Sequence, residues 1–395
     1  MTDEAPALRI EPPEWLHDPA LSAVLAALPR ARLVGGAVRD ALLTAQVADV
    51  DLATPDPPDV VTHALRAAGL KAVPTGLEHG TITAVSAHRG FEVTTLRRDV
   101  ATDGRRAVVA FTEDWREDAA RRDFSVNAMS MTADGAVYDY FDGVADLRAG
   151  RVRFVGDAAQ RIAEDFLRVL RFFRFHARYG RGAPDREALA AIAAAVPGLA
   201  RLSAERVWSE LKRILAPPDP REALALMQRL GVLDAVLPEG TDVSRLAWLI
   251  ARGAPADPIL RLAALLDGDA QALADRLRFS IAERERLLAL RVLVVPPRGA
   301  GDATLRRFLA DIPKEILIGR LWLTGGEASL RARLLTMEVP VFPLHGRDLR
   351  KAGMSPGPEM GAMLRDLRNW WLQGGCVADA PACRAELQRR MTGRS

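Results

Sequence analysis

The hydrophobic rhythm of the chain changes near residue 155. Before that point short apolar or alternating segments are separated by turns, at residues 33–34, 81–86, 91–96, 107–112 and 136–143. Runs of this length bounded by turn residues predict strands. Beyond residue 155, apolar residues recur at i, i+3, i+4 and i+7 almost to the end, which predicts helices. Proline-rich breaks at 215–220 and 339–346 interrupt the helical part. The pattern predicts an α/β head followed by a long all-helical arm.

The richest segment of the head is 31–54. Leu33 and Val34 predict a short strand, Gly35-Gly36 a turn, the residues around Arg39 and Asp40 an amphipathic helix, and Asp49 to Thr54 a second strand. Paired glycines let backbone approach a triphosphate closely, and amides at a helix start offer donors to it. On a strand, Asp49 and Asp51 share a face while Val50 points the other way. Two ionised carboxylates side by side repel unless a divalent cation lies between them. The arrangement suggests a nucleotidyl-transfer centre. A D-x-D pair alone also fits a solvated turn or the metal site of a sugar-nucleotide transferase.

Other polar positions interrupt apolar segments. Glu92 alternates with Phe91 and Val93, so it is either a surface residue on a half-exposed sheet or a third carboxylate beside the aspartates. Residues 97–106 read as a charged, solvated loop. Arg122 and Asp123 precede Phe124, Val126, Ala128 and Met129, which predict an apolar helix. Asp123 then either caps that helix or joins Arg122 and Asn127 in holding sugar and phosphate. Residues 161–180 predict one helix with Phe166, Val169, Leu170 and Phe173 buried and Glu164, Arg168 and Arg171 opposite, Asp165 flanking Arg168. A carboxylate beside a guanidinium can read a base edge that offers an amine and an acceptor, as cytosine and adenine do. The helix at 202–215 reads as ordinary core, as do Trp370 and Trp371.

Composition changes this picture little. The 395 residues suggest two to four packed units. No apolar run is long enough to span a bilayer, and the first residues are acidic rather than signal-like, so a cytoplasmic location is the default expectation. Cys376 and Cys383 predict a reduced pair. Net charge is +3 with a pI near 9.1, too mild to establish a nucleic-acid partner. The basic residues are nearly all arginine, with lysine only at Lys71, Lys212, Lys314 and Lys351. The histidines, His17, His63, His79, His88, His176 and His345, are scattered and supply no metal cluster.

The strings V-G-G-A-V-R-D and D-V-D-L-A-T, then R-R-D-F-S-V-N at 121–127 and E-D-F-L-R at 164–168, resemble the family of tRNA CCA-adding nucleotidyltransferases and bacterial poly(A) polymerases. The resemblance covers the first 215 residues well and the rest loosely. It implies an α+β fold: a nucleotidyltransferase head with a small mixed β-sheet at 1–155, a helical neck at 156–215, a body at 216–338 and an RNA-binding tail at 339–395. Arg347, Arg350 and Lys351 would be phosphate contacts in that tail. The resemblance implies Mg²⁺ on Asp49 and Asp51, with Glu92 as an accessory catalytic carboxylate. Gly35, Gly36, Arg39 and Arg122 would hold the triphosphate, and Asp123 and Asn127 the sugar. Asp165 and Arg168 would read the base of CTP or ATP, supported by Arg171 and Arg174, and the loop at 97–106 would help switch nucleotide. The implied product is CCA on the 3′ end of tRNA, with no membrane and no obligate protein partner. Residues 75–85 are less basic than the poly(A) polymerase signature, so CCA addition ranks first. Partial CC or A addition, poly(A) synthesis and a non-catalytic RNA-binding role are the alternatives.

Overall fold

The computed structural model describes residues 5–47, 49–102 and 107–392. They form two compact units, Met1–Pro238 and Glu239–Ser395. The first unit carries all the strands: β1 (Leu8–Arg9), β2 (Arg32–Val34), β3 (Asp51–Thr54), β4 (Lys71–Gly76), β5 (Thr81–Ser86), β6 (Arg89–Thr95), β7 (Arg97–Thr102), β8 (Ala107–Phe111), β9 (Met129–Met131) and β10 (Ala136–Asp139). Eight of them form one sheet in the order β1-β10-β9-β2-β3-β6-β5-β4, and β7 and β8 pair separately. The sheet is mixed, because β3 and β6 run parallel while the other neighbours run antiparallel. Alternation explains β6: Phe91, Val93 and Thr95 are buried and Glu92 is exposed.

Three local expectations change. Residues 97–106 are not simply a solvated loop, since β7 and β8 form a hairpin there; residues 103–106 lie outside the described residues. The apolar stretch after Asp123 is not a helix but a 3₁₀ turn, Ser125–Asn127, followed by β9. Phe124, Val126, Ala128 and Met129 are all buried, and periodicity cannot separate a buried strand from a buried helix in so short a run. Backbone pairing decides it: β9 lies between β2 and β10, and Phe124 bridges Phe154.

The third change is a break in the expected helix at 161–180. One helix spans Ala158–Glu164 and a second Leu167–Tyr179, with Asp165 extended between them. The Asp165 carboxylate accepts from the Leu167 amide at 3.0 Å, a local bond that competes with helix continuation. Val169, Leu170 and Phe173 are buried as expected, but Phe166 is only half-buried, and Leu167, Phe172 and Phe175 join the buried face. Phe166 packs where any side chain at Gly198 would stand, since a Cβ there would lie 1.9 Å from its ring.

An aromatic cluster joins this second helix to the strand region. Phe124 lies 4.9 Å from Phe154 and 5.2 Å from Phe175, and Phe172 meets Phe173 edge-on at 5.4 Å. The helix Ala204–Leu215 packs beside it, with Val207, Leu211 and Ile214 buried.

The second unit is helical. Leu305, Leu317, Leu321 and Leu334 centre one core; Leu349, Met363, Leu367 and Trp371 centre another. Trp371 is buried as expected and Trp370 half-buried. Cys376 and Cys383 are buried and unbonded. Among the described residues no helix is long and apolar enough to cross a membrane.

Phe172 is fully buried at the centre of the aromatic cluster. Phe172→Ala should therefore cost about 3–5 kcal/mol in urea unfolding, through lost burial and the cavity left behind.

Candidate active site

The site is built from the glycine turn outward. Gly35 has φ +65°, a backbone conformation that favours glycine, and a Cβ on it would crowd Arg122 Nη1 at 3.1 Å. Helix Gly36–Leu42 starts directly after it, earlier than the expected opening at Arg39. Arg39 is buried. Its Nε and Nη2 donate to Asp40 at 2.9 and 3.1 Å, and its Nη1 donates to Asn127 Oδ1 at 2.6 Å. The guanidinium expected to meet phosphate thus serves first as a brace beneath the turn.

Asp51 begins β3, directly across from Glu92 on the parallel strand β6. Its carboxyl opens to the cleft but is held above the usual carboxylate range. Desolvation among surrounding protein atoms is the largest cause, then the charge of Glu92; Arg122 opposes them, and Asp49 adds to the upward push. Asp49 precedes β3 rather than sharing it, so ladder geometry does not set its direction as expected. It borders a smaller cavity of about 310 Å³ that Trp15, Asp18 and Arg89 also line. Among the described residues no three His, Cys, Asp or Glu side chains form a ready-made metal cage. What the chain does offer a cation is Asp51, an exposed carboxylate directly across from Glu92, with Asp49 two residues before it.

Asp123 is buried, and it caps no α-helix. Its Oδ1 accepts from the Phe124 amide at 2.9 Å and Asn127 Nδ2 at 3.1 Å, and its Oδ2 accepts from Arg171 Nε at 2.6 Å and Nη2 at 2.5 Å. Burial pushes the carboxyl up, but the Arg171 charge and these hydrogen bonds outweigh it and hold it below the usual range. Arg122 is oriented by Asp118, its Nη2 donating at 3.1 Å to a carboxyl that also takes Arg121.

Asp165 and Arg168 both face the cleft, yet each has a different partner. Asp165 Oδ2 accepts from Arg206 Nη2 at 2.6 Å, while Arg168 pairs with Glu164 and donates to the Arg161 carbonyl at 2.7 Å. Arg174 donates to the buried Glu210 at 3.3 Å, and Arg213 to the same oxygen at 3.4 Å. Burial first, then the neighbouring Arg171 charge, pull Arg174 down to about 10.

One cleft of about 1010 Å³ collects most of the predicted residues: Gly35, Gly36, Arg39, Asp51, Arg122, Asp123, Asn127, Asp165, Arg168, Arg171 and Arg174. Asp49 and Glu92 do not line it. Sequence reasoning missed Arg178, Tyr179, Arg206 and Arg213, which complete the wall. One signal was legible: Glu210 falls at the helical spacing of Val207, Leu211 and Ile214, a carboxylate inside a buried stripe. Arginines outnumber aspartates along the wall, so the cleft suits a polyanion.

The chain is similar to known proteins. Residues 31–153 match the poly A polymerase head domain, and residues 183–243 match the probable RNA and SrmB-binding site of polymerase A. The mitochondrial CCA tRNA nucleotidyltransferase 1 of Mus musculus is 40% identical over 365 residues, 87% of this chain and 83% of that protein. A CCA-adding enzyme of Levilactobacillus brevis is 30% identical over 381 residues, 92% of this chain and 95% of that protein. Among solved structures, the Bacillus stearothermophilus CCA-adding enzyme in complex with CTP matches with a TM-score of 0.73 at 25% identity, covering 95% of this chain and 99% of that one. The Thermotoga maritima CCA-adding enzyme complexed with tRNA shares the fold, with a TM-score of 0.63 at 18% identity over 91% of each chain. With relatives this similar along nearly its whole length, the chain belongs to the family of CCA-adding tRNA nucleotidyltransferases.

Proposed function

We propose that this chain adds C, C and A to the 3′ end of tRNA from CTP and ATP, without a nucleic-acid template, by metal-assisted nucleotidyl transfer. The observation that carries this reading is the single cleft in which a glycine turn, Asp51, Asp123 and the base-edge groups Asp165 and Arg168 converge. The family model over residues 31–153 and the relative bound to CTP support it.

The backbone at Gly35 and Gly36, with Arg122, holds the triphosphate; Arg39 fixes that turn from below. Asp123 and Asn127 face the ribose. Asp165 accepts from the exocyclic amine of cytosine or adenine, while Arg168 donates to the adjacent ring nitrogen or carbonyl oxygen. Arg206 holds the Asp165 carboxylate, and Arg171 and Arg174 support the base-reading helix. Uracil and guanine offer the reverse edge, which does not match the acceptor of Asp165 and the donors of Arg168.

Asp51 and Asp49 are the proposed Mg²⁺ ligands, with Glu92 assisting. The fit rests on the donor set: Asp51 lies exposed directly across from Glu92, with Asp49 just before the strand, so carboxylate oxygens of the kind a hard divalent cation takes stand close together. Bound there, Mg²⁺ would supply acidification of the RNA 3′-hydroxyl and charge neutralisation at the α-phosphate. In the transfer, the 3′-oxygen bonds to the α-phosphorus and the bond to the departing pyrophosphate breaks, with Arg122 facing the released charge. Among the described residues no histidine lines the cleft as a competing general base.

The proposed division is head 1–155, neck 156–215, body 216–338 and tail 339–395, with tRNA held by the helical parts. The match at 183–243 supports an RNA contact there, and Arg347, Arg350 and Lys351 are the tail's proposed phosphate contacts. The cytoplasm is the proposed compartment, supported by the unbonded Cys376 and Cys383.

Three RNAs test the reading with Mg²⁺ and labelled CTP and ATP: tRNA lacking CCA, tRNA ending in CC, and an unstructured oligonucleotide. CC then A, confined to tRNA, is the expected result. A halt at CC, or action only on the CC-ended tRNA, would instead identify a partial enzyme, and long A tracts a poly(A) polymerase. Asp51→Ala should abolish transfer while tRNA binding, followed by filter retention, stays within about twofold. Asp165→Ala should narrow the preference for CTP and ATP over UTP, and unchanged selectivity would remove it from base reading. Asp123 gives a pH signature. Its folded pKa lies below the ordinary 3.8, so its contribution to stability is present above that value and is lost as pH falls through the folded one. Asp123→Asn should be less stable at pH 7 and show a shallower loss in acid, read by urea unfolding at a series of pH values.

A further inference from the structure

Beyond base, sugar and phosphate, the cleft contains a closed circuit of hydrogen bonds that none of those roles requires. Arg39 and Asp40 are adjacent on helix Gly36–Leu42, and both are buried. Asp40 Oδ1 accepts from Arg39 Nε and also from Tyr179 Oη, the latter at 3.0 Å. Arg39 then reaches Asn127, Asn127 reaches Asp123, and Asp123 takes Arg171. Arg171 and Tyr179 belong to the same helix, Leu167–Tyr179, so the circuit closes through its backbone. Rings line the inside: the Arg39 guanidinium lies 4.5 Å from the Tyr179 centroid and 5.3 Å from that of Phe175.

We propose that Tyr179 is a positioning residue: with Asp40 it forms the second of two clamps that hold the base-reading helix in register with the glycine turn. This rests on the function proposed above and deepens it. One clamp, Asp123–Arg171, fixes a point on the helix, and a second is needed to fix its tilt. At 1.5 Å per residue Tyr179 stands about 12 Å from Arg171 along the axis, and Arg168 about 4.5 Å on the other side. A slip of about 1 Å at Tyr179, pivoting on Arg171, therefore moves Arg168 by about 0.4 Å. Because a misplacement of about 1 Å can cost about a hundredfold in rate, about 0.4 Å corresponds to roughly fivefold. Asp165 follows, since its carboxylate is bonded to the Leu167 amide at the same helix end.

The loss falls unequally on substrates. Cytosine makes both contacts to Asp165 and Arg168, whereas uracil cannot match them, so misalignment removes from CTP what UTP never had. Tyr179→Phe is the first test, because it keeps the ring against Arg39 and deletes only the hydroxyl. Single-turnover rates of CTP and UTP incorporation on tRNA lacking CCA are compared between variant and wild type, below the melting midpoint of each. The expected result is a CTP-to-UTP ratio about fivefold lower, carried by a slower CTP rate. Asp40→Asn, which loses the charge that orients Arg39, should lower the ratio in the same direction. The double variant should fall by less than the product of the two single effects, because both weaken the Tyr179–Asp40 link while Asp40→Asn also loosens Arg39. An unchanged ratio in either well-folded single variant, or equal slowing of CTP and UTP, would overturn the clamp and leave Tyr179 with packing alone. A wild-type protein that incorporates no CTP would instead overturn the function itself, so the two failures are distinguishable.

Discussion

The ion pair between the buried Asp123 and the half-buried Arg171 is the constraint on which the site depends. It joins the turn just before the 3₁₀ segment Ser125–Asn127 to the helix Leu167–Tyr179, two segments far apart in sequence. Its carboxylate has little access to water and is stabilised almost wholly by protein donors, from Arg171, Asn127 and the Phe124 amide. A desolvated pair of this kind contributes less to net stability than to uniqueness of geometry, because any displacement leaves a buried charge without a partner. The aromatic cluster behind it, Phe124, Phe154, Phe172 and Phe175, supplies the apolar burial, and the ion pair lies at its edge, Asp123 next to Phe124 and Arg171 next to Phe172 in the chain.

From that anchor the electrostatics of the cleft follow. Guanidiniums outnumber carboxylates along the wall, and several are themselves held by carboxylates: Arg122 by Asp118, Arg168 by Glu164, Arg174 by Glu210. Each pair fixes a direction and leaves further N–H groups of a five-donor guanidinium facing the cleft. Asp51 is the exception, a carboxyl pressed by Glu92 and Asp49 and relieved only in part by Arg122. The site thus holds an excess of fixed positive charge for a polyanion and one strained acidic corner suited to a cation. That division matches the two charged species a nucleotidyl transfer brings together.

Legibility in the sequence tracked the range of the interaction. The glycine turn, Asp51 and the R-R-D-F string were readable because each is marked by residue types at short, fixed spacings, although their charge partners lie far away in sequence. The strand at β5 was legible, and alternation gave both strand and face for β6, since one side of it is buried. The stretch 124–131 misled because it is buried all round, and only the neighbouring strands decide between helix and strand. The break at Asp165 was hidden because a helical wheel treats every polar residue as a side chain, whereas this one bonds to backbone. Arg206 escaped because nothing local marks it: it meets Asp165 only through the packing of helix Ala204–Leu215 on Leu167–Tyr179.

The sequence by itself therefore determined the fold class, the family resemblance and the set of residue types that the cleft would need. Those depend on periodicity and short spacings, which the covalent chain imposes directly. Only the tertiary structure decided which charge meets which: Asp165 with Arg206 rather than Arg168, Arg39 as a brace, Asp49 beside rather than within the main cleft. Such pairings join side chains distant in sequence, and their geometry exists only once the sheet, the aromatic cluster and the two packed helices have fixed the backbone.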